Sequence, residues 1–194
     1  SSGSFAPEER DAGAALETIY HPFLRRLRNL KIPLVTAVNG AAAGVGMSFA
    51  LMGDMILASK SAYFLQAFRR IGLVPDGGST WLLPRLVGSA RARELSLLGE
   101  KLSAEKALEW GLINRVYDDA ELMPQAMTLA EELAHGPTIA LGQIRQLYWQ
   151  SASNTYEEQL DAERQAQKVA GRAEDFTEGV TAFLQKRKAE FKGR

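Results

Sequence analysis

The stretch that most limits the fold is an apolar run followed at once by closely spaced glycines, "IPLVTAVNGAAAGVGMSFA", residues 32–50. Its first part, "PLVTAV", is β-branched and apolar on both faces, which is typical of a buried strand in an α/β sheet. The turn at Asn39-Gly40 ends that strand, and the small residues after it predict a helix running to about Leu51. The sequence therefore predicts an α/β fold in which the glycines let the backbone come close to another group.

Four interpretations of this strand, glycine turn and helix stay open on these residues alone. Dinucleotide binding needs a third glycine, which is missing after Gly44, Val45 and Gly46. A nucleophile elbow would use Ser48 in G-x-S-x-A, and His135 is the one histidine downstream of it. An oxyanion site would use the first N–H groups of the helix, which have no partner inside it. The fourth interpretation is close packing of strand against helix.

Composition excludes several other classes of protein. The formal net charge is zero, which gives no support for a nucleic-acid partner or for binding to an acidic membrane. The absence of cysteine excludes disulfides, zinc thiolate sites and thiol nucleophiles. The two histidines, His21 and His135, are far apart, so no metal site is expected. No apolar run approaches the ~18 residues of a membrane span and no signal peptide is visible, so a cytoplasmic location is expected.

The rest of the chain predicts an α/β part followed by helices. Apolar residues at helical spacing predict a helix over residues 14–30, with Pro22 as a possible kink. "MILASKSAYFLQ" predicts one strand or two short ones, and Gly99 closes the second of two helices that follow. Ser103 is predicted to cap a further helix, which ends at Gly111 before another strand.

After Pro137 only helical patterns occur, at residues 138–150, 156–170 and 176–192. We therefore expect two parts, an α/β core over residues 1–135 and a helical region over residues 136–194. The closing segment, "QKRKAEFKGR", is interpreted as a basic helix tip, either a solvated face or a place that holds a phosphate.

The segment "VPDGGST" offers an acidic candidate, Asp76. Its neighbours include Val74 and Pro75, and a carboxylate in apolar surroundings has a raised pKa, which makes it a better base near neutral pH. The alternative is that Asp76 caps the helix that begins near Gly78.

Three segments together resemble one family. They are "PLVTAVNGAAAGVGMSFALMGDMILASKSAYF", "IGLVPDGGSTWLLPRLVG" and "GEKLSAEKALEWGLINRV". In this order they resemble the crotonase (enoyl-CoA hydratase/isomerase) superfamily. The resemblance implies an α/β spiral of ββα units with a C-terminal helical region that forms homotrimers or hexamers. It also implies an acyl-CoA thioester as the substrate and no separate cofactor, since coenzyme A is part of the substrate.

The resemblance also implies roles for particular residues. Two backbone N–H groups hold the thioester oxygen in this family, and Val45, between Gly44 and Gly46, matches one of these donors. The other donor lies in a loop ending G-G/Q-D-L, within a segment that family members carry before the Tyr20 helix and that the 194 residues do not show. Nearer the C-terminus, "EGVTAFLQKRKAEF" matches the family as well.

In that segment Phe183 and Lys186 match positions that contact the adenine and phosphate end of coenzyme A, often from a neighbouring subunit.

The carboxylates separate the branches of the family. The two glutamates of hydratases would fall at Ser48 and Phe68, and neither residue is an acid. Phe68, with Met47, is instead expected to make the substrate pocket dry. "GLVPDGGSTWLLPRLVG" resembles the ring-1,2-epoxyphenylacetyl-CoA isomerases of phenylacetate breakdown, in which the aspartate matching Asp76 is catalytic.

Those enzymes convert the ring epoxide to an oxepin and shift a 3-enoyl-CoA double bond to the 2-position. The alternatives are a CoA-binding fragment with impaired catalysis, an enoyl-CoA hydratase, or a CoA thioester hydrolase that uses Ser48.

Overall fold

The structure is a computed structural model that describes residues 11–194. Within that range short strands are followed or separated by helices. The strands are β1 (Val35–Val38), β2 (Ala41–Ala43), β3 (Met55–Ser59), β4 (Tyr63–Leu65), β5 (Leu102–Ser103) and β6 (Arg115–Tyr117). The α-helices are α1 (His21–Arg28), α2 (Val45–Ala50), α3 (Ser79–Leu98), α4 (Ala104–Glu109), α5 (Leu122–Ala134), α6 (Thr138–Ser151), α7 (Tyr156–Ala170) and α8 (Glu174–Leu184).

The strands form two small sheets, and the first four strands alternate between them. One sheet has the order β1-β3-β6, with all pairs parallel, and Val35 lies opposite Met55. The other has the order β2-β4-β5, in which β2 and β4 are parallel and β4 and β5 are antiparallel. The units β1-β2-α2 and β3-β4-α3 therefore repeat one strand-strand-helix pattern, in agreement with the expected ββα spiral.

The segment after Asn39-Gly40 corrects one prediction. The expected helix begins only at Val45, because residues 41–43 form β2 and pair with β4. Alanine is the strongest helix former, but helix propensity is a small effect, and pairing with a neighbouring strand overrides it here. Ala42 lies opposite Phe64 and both are buried, so the pairing places this segment in the core.

Several local predictions are confirmed. "MILASKSAYFLQ" forms the two short strands β3 and β4. Gly88, at φ 79° and ψ 163°, interrupts α3 so that it consists of two helical segments, and Gly99 ends the second with a left-handed conformation at φ 62°. The hydroxyl of Ser103 accepts a hydrogen bond from the N–H of Lys106 and caps α4.

The helix predicted over residues 14–30 is present as a continuous helical segment over residues 14–28, in which a π-helical turn at Leu16–Tyr20 leads into α1. Pro22 lies in the first turn of α1, where its missing N–H is tolerated. At the other end of the chain α8 stops at Leu184, so the interpretation of "QKRKAEFKGR" as a helix tip is wrong.

The tail after α8 folds back onto that helix. Glu178 accepts hydrogen bonds from both terminal nitrogens of Arg187 and from the N–H of Glu190. Asp175, which is buried, accepts from the N–H groups of Lys192 and Gly193. These carboxylates supply the acceptors that a continued helix would otherwise have provided.

The main hydrophobic core lies between the sheets and the helices that follow them. Met47, Phe64 and Leu83 are among its fully buried side chains. The described helices include none with both the length and the apolar character needed to cross a membrane. The division of the chain at residue 135 stays a prediction; beyond His135 the structure places only helices α6 to α8.

Candidate active site

The glycine turn before α2 forms one side of the site. Gly44 adopts a positive φ of 53°, and its N–H donates to the carbonyl of Leu65 at 2.9 Å. Phe68 covers it, since a Cβ on Gly44 would lie 3.5 Å from the ring. No hydrogen bond joins the N–H of Val45 or of Gly46 to another described residue. The turn therefore leaves two backbone donors available next to an aromatic wall.

The loop that carries Asp76 packs directly against this helix. A Cβ on Gly77 would lie 2.6 Å from the Cβ of Ser48 and 3.7 Å from Cγ2 of Val45. Gly77 also has a positive φ of 61°. Glycine is the residue that meets both requirements without displacing a neighbour. This close approach brings Asp76 next to the donors at the start of α2.

The main chain of Asp76 is held firmly. Its carbonyl oxygen accepts hydrogen bonds from the hydroxyl of Ser48 at 2.9 Å, from the hydroxyl of Ser79 at 2.8 Å and from the N–H of Ser79 at 3.1 Å. Ser48 and Ser79 are both fully buried. Two hydroxyls that cannot reach water are thus directed at one carbonyl group.

The carboxylate of Asp76, in contrast, has no partner on its buried oxygen, Oδ1. Burial raises the pKa of this carboxyl, and the positive charge of nearby His21 partly opposes the rise. The alternative role as a helix cap is wrong, because α3 has Gly78 at its N-cap and receives no side-chain cap. The pKa prediction has the right direction, although Val74, one of the expected apolar neighbours, is 77% exposed.

A cavity of about 310 Å³ lies beside the Asp76 loop. The two residues that follow Asp76, Gly77 and Gly78, line it together with His21, whereas Asp76 itself is not part of the lining. The other lining residues are apolar, aromatic or basic: Leu24, Arg25, Arg28, Met52, Trp81, Leu82 and Trp149. The indoles of Trp81 and Trp149 stack, with centroids 5.6 Å apart. The site thus combines a desolvated carboxylate with a mainly apolar and aromatic space.

Comparison with known proteins gives a consistent picture. The sequence profile of the family described as "Enoyl-CoA hydratase/isomerase" matches residues 5–194. The chain is 50% identical over 184 residues to 1,2-epoxyphenylacetyl-CoA isomerase of Escherichia coli strain K12, covering 95% of this chain and 70% of that protein. The chain belongs to the enoyl-CoA hydratase/isomerase family.

Other members of the family agree with this assignment. Trans-2-decenoyl-[acyl-carrier-protein] isomerase of Streptococcus mutans is 36% identical over 168 residues, which is 87% of this chain and 64% of that protein. The crystal structure of enoyl-CoA hydratase from Bacillus anthracis superposes with a TM-score of 0.89 at 28% identity, covering 96% of this chain and 73% of that one. The enoyl-CoA hydratase/isomerase family is a family of enzymes, and the predicted crotonase fold is confirmed.

The structure of this family member brings together five of the seven residues that the sequence singled out. Gly44, Val45, Gly46, Phe68 and Asp76 lie around the contact between α2 and the Asp76 loop.

The remaining two predicted residues are elsewhere. Phe183 lies near the end of α8 and is 82% exposed. Lys186, also exposed, follows that helix with a positive φ of 53°. Neither residue lines the cavity beside Asp76 within this chain. Their assignment to coenzyme A therefore stays a prediction.

The structure gives no support to Ser48 as a nucleophile. Its side chain is fully buried, and its hydroxyl donates to the carbonyl of Asp76. His135, the predicted partner, lies at the end of α5 with its ring Nδ1 2.7 Å from the carbonyl oxygen of Glu131. No base is therefore placed beside the Ser48 hydroxyl by these contacts.

Two residues of the site do not follow from the sequence pattern. Nothing local in the sequence links His21 to Asp76, and nothing in "VPDGGST" indicates that the Ser79 hydroxyl donates to the carbonyl of Asp76. Among residues 11–194 the structure shows no group of three or more histidine or acidic side chains placed to hold a metal.

Proposed function

We propose that this chain is an acyl-CoA isomerase in which Asp76 is the catalytic base. The observation that carries the proposal is the buried, unpartnered Oδ1 of Asp76, in a loop whose next two residues line a largely apolar cavity. A desolvated carboxylate is a stronger base and a better proton carrier near neutral pH than an exposed one. Two relatives in the family are named as isomerases, which supports this branch.

The proposed reaction needs a single base. Asp76 removes the proton alpha to the thioester of a 3-enoyl-CoA, and the C–H electron pair forms an enolate. The N–H of Val45 donates to the enolate oxygen, which a positioned backbone donor stabilises by roughly 3–4 kcal/mol. The electrons then shift so that the gamma carbon takes the same proton back from Asp76. The double bond ends at the 2-position, and the carboxylate is regenerated.

We further propose that ring-1,2-epoxyphenylacetyl-CoA is a substrate and that it is converted to the oxepin thioester. Support comes from the 50% identity to the E. coli enzyme of that name. Support also comes from the stacked Trp81 and Trp149, which line the same cavity as Gly77 and Gly78, because an aromatic wall suits a flat, unsaturated acyl group. Phe68 and Met47, both buried, carry no group able to activate water.

The experiment is turnover of Asp76→Asn on 3-enoyl-CoA and on the ring epoxide thioester. General-base catalysis contributes about 10²–10⁴-fold, so we expect kcat to fall by that factor while binding of the CoA thioester persists. A matched control is Asp161→Asn, which changes an exposed aspartate of α7 that does not line this cavity. Unchanged kcat in Asp76→Asn would remove Asp76 from the mechanism.

Product analysis separates the alternative activities. Addition of water to a 2-enoyl-CoA would favour a hydratase, and release of free coenzyme A would favour a thioester hydrolase. Binding without turnover of any thioester would favour a CoA-binding protein with impaired catalysis.

We also propose that Phe183 and Lys186 bind the adenine and phosphate end of coenzyme A, within a homotrimer or hexamer. Both side chains are exposed in the single chain, as expected of residues that contact a neighbouring subunit. Lys186→Gln should weaken binding of acyl-CoA about 2–5-fold, the range of an exposed ion pair, and should leave acyl-pantetheine unaffected. Equal effects on both ligands would contradict the assignment of Lys186. Light scattering of the purified protein measures the oligomeric state.

A further inference from the structure

We propose that Ser48 is a positioning residue that fixes Asp76 for proton transfer through the main-chain carbonyl of the aspartate. The proposal rests on the function proposed above for Asp76. In this proposal Ser48 does not act as a nucleophile, and it does more than occupy the position of a hydratase glutamate. The proposal is carried by geometry at the contact between α2 and the Asp76 loop.

The main-chain carbonyl and the carboxylate of Asp76 differ in their hydrogen bonding. Its carbonyl oxygen accepts three hydrogen bonds, whereas its buried carboxylate oxygen accepts none. A base must keep its carboxylate free for the substrate proton, so its orientation has to be fixed through other atoms. The carbonyl is the atom of Asp76 that the surrounding structure holds.

The hydrogen bonds to this carbonyl span different separations along the sequence. The two bonds from Ser79 are local, since this residue lies three positions from Asp76. The bond from Ser48 spans 28 positions and links the loop to α2, the helix that begins with the proposed oxyanion donor Val45. The Ser48 hydroxyl is therefore the hydrogen bond that sets the base relative to that donor.

The contact between Ser48 and the Asp76 loop is closely packed. Ser48 is fully buried, and a Cβ on Gly77 would lie 2.9 Å from its Oγ. Gly77 therefore packs closely against this side chain. Loss of the hydroxyl would thus leave the carbonyl of Asp76 with local donors alone and loosen the loop against α2.

The test is kcat, KM and the pH profile of Ser48→Ala, with Ser79→Ala as the local comparison. We expect Ser48→Ala to lower kcat about 10–100-fold with little change in KM, because small displacements of a reacting group cost about this much. The acid limb of its profile should move to lower pH, because a loosened carboxylate is better hydrated and its pKa falls. Ser79→Ala, which keeps its N–H bond to the carbonyl, should change less.

Controls separate positioning from general stability. Ser59→Ala removes another buried serine hydroxyl, one that pairs with Ser61, and should leave kcat and the acid limb unchanged. In an Asp76→Asn background, Ser48→Ala should lower the rate no further. If Ser48→Ala does not fold, Ser48→Cys keeps a weak donor of similar size and should show a smaller shift in the same direction.

The carboxyl pKa of Asp76, followed by carbon NMR in the resting protein, is a readout independent of turnover. A folded Ser48→Ala with unchanged kcat, acid limb and carboxyl pKa would overturn the proposal. Full activity of Asp76→Asn would overturn the proposed function instead, and the NMR measurement would still show whether Ser48 governs the carboxyl of Asp76.

Discussion

Arg145 of α6 donates from Nε to Oδ2 of Asp54 at 2.6 Å; the arginine side chain is 2% exposed and the aspartate side chain 27%. The two terminal nitrogens of the same guanidinium donate to the carbonyls of Leu27, Arg28 and Leu30 at the end of α1. One side chain of the helical region therefore binds the core and also satisfies the last carbonyls of the helix that carries His21.

Replacement of Arg145 is expected to destabilise the protein strongly. Arg145→Ala would leave Asp54 and the α1 carbonyls without their donor, and loss of one partner of a buried pair costs about 3–5 kcal/mol. Urea unfolding measures the effect. Arg164→Ala, an exposed arginine of α7, should change the unfolding free energy by less than about 0.5 kcal/mol. Similar values for the two variants would show that the Arg145 contacts do not stabilise the fold.

Asp76→Asn is expected to lose activity and gain stability. Burial raises the pKa of Asp76 in the folded state, so the stability contribution of this group is present at low pH and is lost as the pH rises through the raised pKa. At pH 7 the variant should therefore unfold at higher urea than the wild type. Below about pH 4, where the carboxyl is protonated in both states, the difference should vanish. A less stable variant at pH 7 would contradict this prediction.

His21→Gln should move the acid limb of kcat/KM to higher pH. The positive charge of His21 lowers the pKa of Asp76 against the larger effect of burial, so its removal lets that pKa rise. Because the active base is the ionised carboxylate, a higher pH is then needed to reach full activity. His135→Gln, which changes the other histidine at the end of α5, should leave the profile in place. A shift of equal size in both variants would point to a general charge effect.

Glu178→Gln should release the C-terminal tail at neutral pH. The bonds from Arg187 and from the N–H of Glu190 hold the pKa of Glu178 down at about 2. A lowered pKa means that this docking is present above the ordinary glutamate pKa and is lost as the pH falls toward 2.

Hydrogen exchange at the N–H of Glu190 and tryptic cleavage after Arg187 measure the release of the tail. Glu174→Gln, which breaks an exposed ion pair with Arg194, is the control and should change neither. Protection that persists in Glu178→Gln would assign the docking to Asp175 instead.

Much of the fold was predictable because its signals are local. The glycine turn before α2, the cap at Ser103 and the stops at Gly88 and Gly99 follow from backbone preferences that neighbouring residues determine. The prediction of a helix at residues 41–43 was wrong because these alanines pair with β4. Pairing between strands depends on residues distant in sequence, so the local pattern does not reveal it.

The candidate site also combines features that the sequence predicted with features that only the tertiary structure revealed. The sequence identified Asp76 as a carboxylate with a raised pKa, and the resemblance identified Val45 as a backbone donor. The tertiary structure alone decided that Ser48 donates to the carbonyl of Asp76, that the charge of His21 acts on the Asp76 carboxyl, and that Val74 is exposed.

By itself, then, the sequence determined the residue types, the turns and the family of this protein. The tertiary structure decided which distant groups meet: Ser48 with Asp76 across 28 positions and Arg145 with Asp54 across 91. The physical reason is that turns and caps depend on the dihedral angles of adjacent residues, whereas these contacts depend on how whole helices and strands pack. A hydroxyl or a carboxylate acquires its role only when that packing fixes its partners and removes its water.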